Sequence, residues 1–75
     1  MSNYYKDQQK AYRKIDDILE SLQVDSAFNI DRMTLHVTLL YPISPKAVKQ
    51  RIELFVAANK DKYSIENGEV KRWEQ

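Results

Sequence analysis

Cysteine is absent from this chain, and glycine and histidine occur once each among its 75 residues. Without thiols there is neither a disulfide framework nor a thiolate zinc site to supply stability, and a reducing, cytoplasmic setting is the natural expectation. No apolar run approaches the roughly 18 residues of a membrane span, and the polar and aromatic residues 1–10 lack the apolar segment of a secretory signal. Charge of one sign is scarce as well, since twelve Lys and Arg face eleven Asp and Glu for a net +1. A uniformly basic surface is thereby excluded, and any binding to a polyanion must come from how the cations are distributed. A chain of this length buries only about 60% of its unfolded surface, so one domain, residues 1–75, is expected.

Residues 3–22 contain no Gly or Pro, and Ala11, Tyr12, Ile15, Ile18, Leu19 and Leu22 recur at the spacing of one helical face. The pattern predicts a long helix over 3–23, whose outward residues are a mixed-sign, solvated surface. Asp25 and Ser26 break it, because their side chains compete for backbone hydrogen bonds. A short strand at 27–30 follows, and Asp31 is placed to cap a second helix with its carboxylate.

Residues 33–41 carry two signals. Met33, Leu35, Val37 and Leu39 alternate as a half-buried strand does, yet Leu35 with Leu39 and Met33 with Val37 are also at helical spacing. The aspartate ahead of the run favours a helix, which is the expectation. The alternative strand would give an α+β domain with a three-stranded sheet and no helix-turn-helix. Pro42 ends the segment, and Ser44 followed by Pro45 starts another helix, with the hydroxyl as cap and proline where no amide hydrogen is needed. Ala47, Val48, Ile52, Phe55 and Val56 form its apolar stripe, and it should stop near Asn59.

The firmest local signal is Asn67-Gly68, the pair that best tolerates the two positive φ angles of a type I′ turn. A two-residue loop sets the register of a hairpin over 62–73. Tyr63 faces Arg72, Ser64 faces Lys71, Ile65 faces Val70 and Glu66 faces Glu69, with Ile65 and Val70 expected on one buried face. Trp73 falls on the opposite face.

Residues 29–73 resemble the winged helix-turn-helix family through Ile30-Asp31 before the second helix, Tyr41-Pro42-Ile43-Ser44 at the turn, and Pro45-Lys46-Ala47-Val48-Lys49-Gln50-Arg51-Ile52 opening the third. The family often has glycine in that turn, where this chain has Pro42. The resemblance implies an α+β winged helix: three helices, a short strand between the first two, the helix-turn-helix at 31–59 and a C-terminal hairpin as the wing. It further implies a third helix lying in the major groove of double-stranded DNA, with Ser44, Lys46, Lys49, Gln50 and Arg51 at bases and phosphates and Lys71 and Arg72 at the backbone. The opposed Glu66 and Glu69 at the hairpin tip would be repelled by phosphate, so the tip should stay out of the groove.

The function implied is that of a small transcriptional regulator. A homodimer is expected, with Tyr4, Tyr5 and the first helix at its interface. The alternative is a protein-docking winged helix in a transcription, replication or membrane-remodelling assembly, to which the near-neutral charge, the acidic tip and Trp73 would suit. Catalysis, a cofactor and a metal site are not expected. His36 has no cysteine beside it and no acid at i+3 or i+4, the adjacent Asp16 and Asp17 point in different directions around a helix so that with Glu20 they read as surface acids, and no nucleophile has a matching base.

Overall fold

In the computed structural model, residues 4–73 are described, with side chains from Lys6 onward. The chain runs α1 (Tyr4–Glu20), β1 (Ala27–Asn29), α2 (Ile30–Leu40), α3 (Pro45–Ala58), β2 (Tyr63–Glu66) and β3 (Glu69–Arg72). The strands form one antiparallel sheet in the order β1-β3-β2, so the returning strand of the hairpin is central. Three helices with this sheet and a C-terminal hairpin make the expected α+β winged-helix layout. Residues 33–40 are therefore helical, with Tyr41 as the extended C-cap, and the third strand comes from 27–29.

The core explains the periodicities. Ala11, Ile15 and Leu19 of α1 meet Met33 and Val37 of α2, Val48 and Ile52 of α3, and Val70 of β3, all with no exposed surface. Burying a side chain of Val, Ile or Leu size contributes about 1.5–3 kcal/mol, so this cluster outweighs any surface pair in the domain. Tyr63 closes it at the hairpin, its hydroxyl donating to the Leu19 carbonyl at 2.9 Å and its ring meeting Phe55 edge-on at 5.1 Å. No helix among the described residues is long and apolar enough to cross a membrane.

The hairpin register is as read from the sequence, Tyr63 with Arg72 through to Glu66 with Glu69. Asn67 and Gly68 have φ of 53° and 76°, the double positive turn that β-branched or bulky residues would enter only at a cost. Ile65 departs from expectation. It is 39% exposed while Val70 is fully buried, because Val70 lies on the central strand between Phe28 and Ile65 and Ile65 lies on the edge.

The cap of α2 is a second correction. Asn29, and not Asp31, is the capping residue: its side-chain oxygen accepts from the Arg32 amide at 3.0 Å. The sheet forces this choice, since β1 pairs as far as Asn29 with Glu69 and the Ile30 amide then donates to the Gly68 carbonyl at 2.9 Å. The chain leaves the ladder and enters the helix at once, leaving Asp31 inside the first turn. Ser44 caps α3 as predicted, accepting from the Ala47 amide at 3.1 Å with Pro45 in the first helical position, and Asn59 ends that helix.

α1 ends at Glu20, earlier than the predicted 23, while its expected start at residue 3 lies outside the described residues. Its last turn carries acids and no base, the sign that the helix dipole disfavours at a C-terminus. Arg72 compensates from the sheet. Its guanidinium donates to the carbonyls of Glu20, at 3.0 Å, and Leu22, and lies 5.7 Å from the centre of the Tyr63 ring.

Candidate nucleic-acid interface

The second helix of the helix-turn-helix has three sides. Val48, Ile52 and Val56 face the core. At 100° per residue, Lys46, Lys49, Gln50 and Glu53 cluster on the far side, and all four are exposed. Ser44 sits at the start of this face, but its hydroxyl is occupied by capping. Four of the expected contact residues, Ser44, Lys46, Lys49 and Gln50, thus lie at or on one exposed face.

The other three do not share that face. Arg51 turns toward α1, where its Nε and Nη2 donate to the two carboxylate oxygens of Asp16 at 3.2 and 2.7 Å and its guanidinium stacks 5.2 Å from the Tyr12 ring centre. Those hydrogen bonds hold the Arg51 pKa above its ordinary value, against the opposing effect of burial and with added attraction from Asp16 and Tyr12. Arg72 points inward to α1, as described above. Lys71 lies on the outer face of the hairpin, its ammonium 4.1 Å from the Trp73 ring centre, and the Trp73 indole donates to the Ser64 hydroxyl at 2.7 Å. The sheet pleat thus separates Lys71 from α3, because successive residues of a strand face opposite ways.

The two flanks of α3 differ in charge. On the wing side a groove of about 350 Å³ is lined by Ile30, Asp31, Lys49, Glu53, Ile65 and Gly68. Two carboxylates there oppose one ammonium, and Glu66 and Glu69 add two more acids at the adjoining tip. On the α1 side a cleft of about 340 Å³ is lined by Gln9, Lys10, Tyr12, Arg13, Asp16 and Arg51, three cations against one carboxylate.

Lys10 and Arg13 were not among the residues expected at a site. A signal for them exists in the sequence, where Lys6, Lys10, Arg13 and Lys14 come ahead of Asp16, Asp17 and Glu20 along α1, with Asp7 the one earlier acid. What local reading could not supply is the contact between α1 and α3 that brings Arg51 to them. His36 is exposed on α2, and no group of three His, Cys, Asp or Glu among the described residues could hold a metal ion. The side chains of Tyr4 and Tyr5, expected at a dimer interface, lie outside the described residues.

No protein-family model, curated protein or solved structure matches the chain.

Proposed function

We propose that the protein binds double-stranded DNA through the outer face of α3, as a small transcriptional regulator acting without catalysis or cofactor in the cytoplasm. The observation that carries this reading is the joint projection of Lys46, Lys49 and Gln50 from the first turns of the second helix of a helix-turn-helix. A glutamine there can pair with adenine through two hydrogen bonds, and lysines can take phosphate or guanine. Lys49 is available to do so. Its ion pair with Asp31, at 3.4 Å, joins side chains that are 49% and 84% exposed, and such a pair holds its partners by about 1 kcal/mol or less.

The proposal includes a homodimer through the first helix, which would double the short site that one α3 reads. Binding of a labelled duplex at low salt tests the reading. The triple variant Lys46→Ala/Lys49→Ala/Gln50→Ala should weaken it by roughly 100-fold, from one lost base pairing and two lost cationic contacts. Absence of duplex binding by the native chain, or no change in the variant, would remove the proposal.

A protein-docking role is the second reading, favoured by Leu35, Leu39 and Leu40 on α2, which are 61%, 78% and 56% exposed. Leu35 and Leu39 lie one turn apart on the same side of α2, an exposed apolar pair of the kind a partner surface uses. Under this reading Leu39→Lys abolishes the partner interaction, and duplex binding is missing from the native chain.

A further inference from the structure

We propose that the cleft between α1 and α3 grips the phosphate backbone of the duplex, with Lys10 and Arg13 acting alongside Arg51 in the place that the acidic wing cannot take. The inference rests on the DNA reading above and adds to it a second element, α1, that the reading does not require.

The geometry of Arg51 is the first support. A guanidinium has five N–H donors, and Asp16 takes two of them through Nε and Nη2, which leaves three for a ligand. The bidentate pair and the Tyr12 ring fix its plane, so a phosphate would meet a donor fork that is already oriented. Asp16 is the one carboxylate lining the cleft, and its charge is matched by Arg51; Lys10 and Arg13 then give the lining an excess of two cations. Both are exposed.

Placement is the second support. Arg51 directly follows Gln50, so a strand held in the cleft lies beside the face that reads bases. The opposite flank offers Asp31, Glu53, Glu66 and Glu69, which repel phosphate. A duplex docked on α3 is therefore drawn toward α1 and away from the hairpin.

Salt dependence of binding decides the matter. The full chain is titrated into a fluorescent duplex of about 20 base pairs between roughly 50 and 200 mM salt, a range in which each neutralised phosphate contributes about 0.9 to the slope. Lys10→Ala/Arg13→Ala should lower the slope by about two, so that the affinity lost across this range becomes about tenfold smaller. The control Lys60→Ala/Lys62→Ala removes the same charge from the turn after α3, outside the cleft, and should leave the slope nearly unchanged. Equal slope losses in both variants would mean a general charge effect and overturn the cleft. An unchanged slope in Lys10→Ala/Arg13→Ala, with the α3 triple variant still impaired, would overturn the cleft and leave the DNA reading standing. No duplex binding by the native chain would overturn both.

Discussion

The flanks of α3 are built by similar means and differ in what they present. Each has a cation paired with an acid from a neighbouring element, Arg51 with Asp16 on the α1 side and Lys49 with Asp31 on the wing side. The first pair is bidentate, partly buried and braced by an aromatic ring; the second is a single contact at 3.4 Å between exposed groups. The first therefore fixes a side chain in place, and the second can exchange partners at little cost. In a winged helix the hairpin is the obvious place to seek an auxiliary contact. Under the proposal above, the charge distribution assigns that contact to α1 instead, while the hairpin serves the core through Val70 and Tyr63 and reaches the end of α1 through Arg72.

The largest test of this contrast falls on Arg72, which belongs to the wing by sequence and to α1 by contact. Arg72→Met removes the hydrogen bonds to the Glu20 and Leu22 carbonyls, a loss of about 2 kcal/mol in urea unfolding, as is usual for bonds from a charged donor. Duplex affinity of the folded variant should stay within about twofold of native, whereas a backbone contact at this residue would weaken binding and lower the salt slope by about 0.9.

The two ion pairs offer a matched comparison. Arg51→Met leaves a partly buried Asp16 without its partner and should cost about 1–2 kcal/mol, less than a fully buried pair because both side chains keep some water. Lys49→Met strands only an exposed Asp31 and should cost about 0.5 kcal/mol or less. Equal costs in denaturant unfolding would erase the distinction between the flanks.

The smallest effect is expected at the hairpin tip. Glu66 and Glu69 are directly opposed across the strands, so Glu66→Gln/Glu69→Gln should stabilise the fold by about 0.5 kcal/mol or less, measured as a small rise in Tm at low salt. Duplex affinity should rise no more than a few-fold through the lost long-range repulsion. A larger gain would mean that the tip approaches the DNA.

Local chemistry was legible in the sequence and long-range pairing was not. Asn67-Gly68 fixed a register because a two-residue loop leaves no freedom, and Ser44-Pro45 announced α3 because cap and first-turn residue are adjacent. At α2 two residues, Asn29 and Asp31, were chemically able to cap. Only the pairing of β1 with β3, through partners more than 40 positions apart such as Phe28 and Val70, selected Asn29. That same pairing made β3 the central strand and left Ile65 on the edge. The candidate site divides the same way. Lys46, Lys49 and Gln50 follow from helical spacing alone, while Arg51 and Arg72 are committed to α1 by contacts 35 and about 50 residues away, and Lys10 and Arg13 gain meaning only from the neighbour that folding brings to them.

Amide shift mapping during a duplex titration addresses the central claim most directly, because it reads both flanks in one experiment. The account predicts perturbations at Lys46, Lys49 and Gln50 that continue onto Lys10 and Arg13, with Glu66, Asn67 and Glu69 silent. Perturbations centred on the hairpin tip, with α1 silent, would contradict it.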